Sequence, residues 1–167
     1  MLKNYFDTYK DELELIDSQN RVELDLYSII AFVLRFSKSS NVVSIRDVSG
    51  RRGSEFSKIF IGNSGFPDFV VRSREKSNTA KILGAVEIKY ISENLDDQKH
   101  LNQLSGHINS YKKVIYTNGL EWRFYSDSLA QEESPIVLGE YTNGNIIWNT
   151  EKEWHNLLKK LDAISWL

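Results

Sequence analysis

Glu87 and Lys89 flank Ile88 near the end of an apolar run that begins at Ile82. Side chains alternate along a strand, so the two charges share a face while Ile88 turns away. Asp68 stands 19 residues before Glu87, directly after Pro67 and at the head of a second β-branched run. If the two runs are neighbouring strands, Asp68 joins the pair. Two carboxylates at one point repel each other unless a cation sits between them. Hard oxygen ligands suit Mg²⁺, with Mn²⁺ able to substitute. Such a cation polarises a phosphate oxygen and lowers the pKa of a bound water. Lys89 beside it orients that water and offsets charge on a pentavalent phosphorus. Carboxylate, carboxylate and lysine form a minimal set for phosphodiester hydrolysis.

An acid two residues before a lysine is a common pattern taken alone. Asp97-Gln98-Lys99 repeats it in a polar stretch that cannot form a buried strand. Glu87-Ile88-Lys89 differs because it closes an apolar strand, where two charges must be desolvated at a cost. The plain alternative is an exposed ion pair on a strand face, worth little, with Asp68 a turn residue after Pro67.

The elements that must position these residues are legible from periodicity. Helical spacing is expected over Asp11–Asp17 and Val22–Phe36, the latter with Leu26, Ile29, Ile30 and Val33 on its apolar side. Strands are expected over Asn41–Val48, Phe66–Val71 and Ile82–Ile91, the last two separated by the polar stretch Ser73–Lys81. A polar helix over Asp96–Tyr111 leads to Val114-Ile115-Tyr116. The Asn118-Gly119 dipeptide then reads as a type I′ hairpin turn before Trp122–Tyr125. A strand over Ile136–Tyr141, a second Asn-Gly turn at Asn143-Gly144 and a strand through Trp148 follow. The last helix, Thr150–Trp166, carries Trp154, Leu158 and Leu161 on one face, and Thr150 with Glu153 has capping-box spacing. Helices before, within and after a strand cluster predict an α/β sheet flanked by helices.

The chain has 167 residues, 41% hydrophobic and 26% charged, enough for one domain with a real core and no internal boundary. The longest apolar run, Ile29–Leu34, is far too short to cross a bilayer. The N-terminus lacks the basic start and apolar centre of a signal peptide. Absence of cysteine excludes disulfides and thiolate zinc sites, and a cytoplasmic setting is expected. A net charge of −2 argues against gripping DNA by bulk electrostatics. Phosphate contacts would have to come from local groups: Arg46, Arg51, Arg52, Lys58, Arg72 and Arg74, with Lys76, Lys81, Lys112 and Lys113. Arg51 and Arg52, set between Gly50 and Gly53, form the loop best able to approach a backbone closely. No Gly-rich phosphate loop ending in Gly-Lys-Ser/Thr occurs, so the chain is not an ATP-driven motor, and there is no Gly-x-Ser-x-Gly elbow. His100, His107 and His155 lack metal-ligand spacing.

Taken in order, Pro67-Asp68, Glu87-Ile88-Lys89, Gln103 through His107, and Thr117-Asn118-Gly119 followed by Trp122 resemble the PD-(D/E)xK nuclease superfamily. Within it the chain is most similar to the N-terminal nuclease domain of type I restriction enzyme R subunits and related restriction-modification proteins. The resemblance spans roughly residues 23–125. It implies a restriction-endonuclease-like fold, Mg²⁺-dependent DNA cleavage, and metal ligation by Asp68, Glu87 and the Ile88 carbonyl. In that family a helix after the (Asp/Glu)-x-Lys strand carries Gln-x-x-x-Tyr. Gln103 matches it, but the tyrosine is His107 here, and both residues become candidates for ordering the site or contacting DNA. The family also has a glutamate on its first helix near the metal. Glu23 is the candidate, sharing a face with Tyr27, Ile30 and Leu34, with Glu12 and Glu14 behind it. The plain alternative for Glu23 is a capping box with Asn20. Expected partners are DNA and separate helicase, methyltransferase or target-recognition parts, the chain itself being a fragment or one component. A non-catalytic nucleic-acid or protein-binding module and a repair or recombination nuclease are the competing functions.

Overall fold

Runs of β-branched and aromatic residues build one six-stranded sheet. The computed structural model describes residues 4–51, 53–130 and 133–167. In spatial order the strands are β1 (Val43–Asp47), β2 (Phe69–Ser73), β3 (Ile82–Ile88), β4 (Lys113–Thr117), β5 (Glu121–Ser126) and β6 (Ile136–Val137). Neighbours are antiparallel except β3 and β4, which run parallel. A parallel pair demands a long crossover, and helix α3 (Gln98–Tyr111) supplies it. The other helices are α1 (Tyr5–Gln19), α2 (Glu23–Phe36) and α4 (Glu151–Ala163), and a separate hairpin pairs β7 (Gly139–Thr142) with β8 (Asn145–Trp148). The architecture is α/β, a mixed sheet with helices on both faces.

Strand alternation divides the core in two. Phe69 and Val71 of β2, with Val86 and Ile88 of β3, pack with α1, α2 and α4. Val70 and Ala85 point the other way and pack with Leu104, Ile108 and Tyr111 of α3. Glu87 therefore takes the α3 side, as Ala85 does. Gly106 of α3 is a position that only glycine fills: a Cβ there would collide with the Ser64 side chain and crowd its backbone nitrogen. The bare backbone lets the segment that leads into Pro67 lie directly on α3.

Several expected boundaries shift for physical reasons. The segment before Val43 forms a short 3₁₀ turn, Lys38–Asn41, rather than strand. The expected strand over residues 136–141 is two, because the chain bends at Leu138: its N–H still bonds Leu120 O at 2.7 Å, but its carbonyl accepts from Asn149 N–H at 2.8 Å and β7 pairs with β8. Helix α4 stops at Ala163, and Trp166 folds back into the core. Thr150 is its N-cap, but its side chain makes no capping bond. Asn143 and Gly144 have φ of 52° and 77°, as a type I′ turn requires.

The turn at Asn118 is different. Gly119 has φ of 87° while Asn118 does not enter the positive region, so this is not a type I′ turn. Asn118 instead works through its amide. Its Oδ1 accepts from the N–H groups of Leu120 and Glu121 at 3.0 and 2.9 Å. Its Nδ2 donates to the carbonyls of Ile91 and Glu93 at 3.3 and 3.4 Å. One buried side chain thereby ties the β4–β5 turn to the segment that follows Lys89. Asn118→Ala leaves these groups without partners and is expected to cost about 2–3 kcal/mol, read as a lower urea midpoint with unchanged slope.

Candidate active site

Phe69 of β2 lies opposite Val86 of β3. Continuing that antiparallel register by one pair sets Asp68 opposite Glu87, on the same face. Asp68, Glu87 and Lys89 are 9%, 2% and 6% exposed, which removes the reading of a surface ion pair. Lys89 Nζ donates to Glu87 Oε1 at 2.6 Å and to Gln103 Oε1 at 2.8 Å. The second Glu87 oxygen lies 3.1 Å from His107 Nε2, within ion-pair distance but off the line of a hydrogen bond, so both atoms remain without a formed one. Gln103 and His107 are one turn apart on α3 and reach the pair from above that face.

Helix α2 reaches the same point from the opposite face. Tyr27 donates its hydroxyl to Asp68 Oδ1 at 2.5 Å and lies 3.3 Å from Glu23 Oε1. The other Asp68 oxygen accepts the Ile88 N–H at 2.6 Å. Tyr27 is held by an edge contact with the Phe69 ring, centroids 5.5 Å apart. Glu23 opens α2 but belongs to no capping box: Val22 is the N-cap, and Asn20 instead closes α1.

Electrostatics separate the two buried acids. Burial, and then the Glu87 charge, push the Asp68 carboxyl up to about 8, more than the Tyr27 and Ile88 donors pull it back. Burial alone would raise Glu87 too, but His107 and Lys89 overcome it and hold that carboxyl below the usual range. Burial likewise raises Glu23, against the pull of Lys89 and Tyr27. Burial and the Asp68 charge keep the Tyr27 phenol protonated, hence a dependable donor.

These residues fit a hard divalent cation. Asp68 and Glu87 are paired across two strands, and Glu87 Oε2 is buried with no hydrogen-bond partner. Each hydrogen-bonded carboxylate oxygen keeps a second lone pair, and the Ile88 carbonyl lies on the strand between Glu87 and Lys89. The donor set is two carboxylates and a carbonyl: among the described residues no three His, Asp or Glu side chains cluster as a metal cage. Mg²⁺ is commonly bound in that way, by one or two carboxylates with water and phosphate completing the shell.

Of the residues singled out from sequence, Asp68, Glu87, Lys89, Gln103 and Glu23 converge on one point. His107 also converges there, but fully buried, which corrects its reading as a DNA-contacting group: it lies behind Glu87. Arg51 stands away from this cluster, its guanidinium 5.1 Å from the Phe60 ring centre. Arg52 lies outside the described residues. Glu14 bonds the Trp148 indole instead, and Glu12 has no part in the cluster. Tyr27 was not singled out for chemistry. Its signal was the spacing of four residues from Glu23, which puts both on one helix face.

The fold is restriction-endonuclease-like. The chain superposes on a chain of the DrdV–DNA complex, determined by cryo-electron microscopy, with a TM-score of 0.61 at 12% identity, covering 96% of this chain. It corresponds to 14% of the DrdV chain. No protein-family model matches the sequence, and no curated protein matches it. No helix among the described residues is long and apolar enough to cross a membrane.

The raised Asp68 carboxyl has a consequence for folding. Between its unfolded pKa, about 4, and its folded value, about 8, the metal-free fold takes up a proton, so stability falls as pH rises through that window. Asp68→Asn is expected to flatten this dependence and to raise the neutral-pH melting midpoint in EDTA. An unaltered pH slope in thermal melts would contradict the assignment.

Proposed function

We propose that this chain is a Mg²⁺-dependent DNA endonuclease module of the PD-(D/E)xK type, the cleavage part of a restriction-modification system. One observation carries the reading. Two acids and a lysine are buried together where the start of β2 meets the end of β3, with Gln103 holding the lysine from a third element. Burying those charges is expensive unless a site requires it. The fold shared with a chain of the DrdV–DNA complex supports DNA as the substrate. The small fraction of that chain which is matched supports a module working beside motor, methyltransferase or target-recognition parts.

Asp68, Glu87 and the Ile88 carbonyl would hold the cation, which supplies charge for the scissile phosphate and acidifies a bound water. The chain's own groups do the remainder. Lys89 spends two of its three N–H donors on Glu87 and Gln103, leaving the third for the attacking water or a non-bridging phosphate oxygen. Gln103 fixes the direction of that donor, since its amide oxygen anchors the ammonium from α3. Tyr27 and the Ile88 N–H set the plane of the Asp68 carboxylate, and His107 lies 3.1 Å behind the second Glu87 oxygen. Glu23, half-buried at the rim, adds an acceptor facing Lys89 through which a water can be held. The resemblance to PD-(D/E)xK nucleases implies 5′-phosphate and 3′-hydroxyl ends.

Plasmid cleavage with Mg²⁺ tests the reading. Asp68→Ala and Lys89→Ala should each lower the rate about a hundredfold or more, with the fold intact by circular dichroism. Tyr27→Phe should weaken Mg²⁺ binding about tenfold in calorimetric titration, because the carboxylate loses its orienting donor. Cutting that survives in both the Asp68 and Lys89 variants would refute the site.

A further inference from the structure

Cations of this weakly acidic chain are not spread evenly. Arg46, Arg72, Arg74 and Lys76 line one concavity of about 440 Å³, in which Glu75 is the one acid. Among the described residues none of the four forms an ion pair. Neutral oxygens hold the guanidiniums instead, main-chain carbonyls for all three and the Ser44 hydroxyl at 2.6 Å for Arg46. Arg72 Nη2 donates to Ala80 O at 2.6 Å, Arg46 Nη1 to Ile45 O at 3.0 Å, and Arg74 Nε to Val43 O at 3.3 Å. Arg72 Nε is buried without a hydrogen-bond partner. The Phe60 ring then gathers a fifth charge: the Arg72 and Arg51 guanidiniums lie 5.4 and 5.1 Å from its centre. Like charges brought together and fixed by neutral acceptors repel one another until an anion arrives.

The register places this surface relative to the candidate site. Arg46 pairs with Val70 and Ser44 with Arg72, so Arg46 and Arg72 share the face of Val70, which is also the face of Asp68. Arg72 and Arg74 lie four and six residues beyond Asp68. At a strand rise of about 3.3 Å per residue the separation is about 13–20 Å, close to four to six base-pair steps of about 3.4 Å. No aromatic ring lines the concavity, so it offers no platform for unstacked bases.

We propose that this face, Arg46, Arg72, Arg74 and Lys76 with Arg51 beside it, grips the sugar-phosphate backbone of duplex DNA flanking the cleavage point. The proposal deepens the nuclease reading and rests on it for the identity of the polyanion. The grip is independent of base sequence, because every contact is a charge or a backbone-held guanidinium.

Binding of the whole chain to a random-sequence duplex oligonucleotide, followed by fluorescence anisotropy in EDTA across a salt series, tests it. Arg46→Gln, Arg74→Gln and Lys76→Gln combined should weaken binding at least tenfold and make the log–log salt slope shallower by about 2–3. Arg46→Lys with Arg74→Lys should keep most of the slope, which a merely misfolded variant would not. Unchanged affinity and slope in the glutamine variant would overturn the proposal. So would failure of the wild type to bind at low salt, or tighter binding of an equal-length single strand. Wild type that binds duplex through this face but never cuts with Mg²⁺ would leave the grip standing and sink the nuclease reading, so the two failures are separable.

Discussion

Placing two carboxylates and an ammonium out of water at the end of a sheet is the constraint around which the structure is organised. Asp68 and Glu87 are cross-strand neighbours, and neither can lose its hydration without a substitute. The fold provides one for each. Asp68 receives a phenol and a backbone N–H; Glu87 receives an ammonium and an imidazole. The substitutes are unequal, and the two acids diverge in proton affinity as a result. A divalent cation, as proposed, would relieve the repulsion that these donors leave between the two acids.

Surrounding the three charged groups takes elements from both faces of the sheet. Tyr27 and Glu23 come from α2, packed against Phe69 and Val86; Gln103 and His107 come from α3, packed against Val70 and Ala85. Strand alternation makes this possible, since successive residues of β2 and β3 feed different cores while the start of β2 and the end of β3 stay together. Asn118 adds a third anchor by tying the segment after Lys89 to the β4–β5 turn. Gly106 lets the approach to Pro67 lie flat on α3 between Gln103 and His107, which reach Lys89 and Glu87.

Much of this was legible in the sequence because it depends on local period. The alternation through Glu87-Ile88-Lys89 and the helical spacing of residues 22–36 set both the strand face and α2, whose observed start at Glu23 differs by one residue. Helix α3 was legible at its C-terminal end and began two residues late, where Asp97 caps it. What could not be read was long-range. His107 sits in a polar helix, and nothing nearby says that the polarity faces a buried glutamate rather than water. Tyr27 looks like one more core aromatic until Asp68 comes within reach of its hydroxyl. Leu138 fits an unbroken strand, and only the competing pairings of β5 and β8 divide it. The arginines of the basic face are scattered in sequence and meet only through the β1–β2 register.

The Tyr27–Asp68 bond has one more consequence. It joins an N-terminal helix to a strand 41 positions later, across the boundary between the two cores. Any excursion that lifts α2 from the sheet therefore takes the phenol away from Asp68 before the sheet itself opens. Partial unfolding of the first forty residues would undo the Asp68 pairing while most amides of the sheet stayed protected from exchange, which makes that helical segment the part of the fold whose loosening reaches the buried acids first.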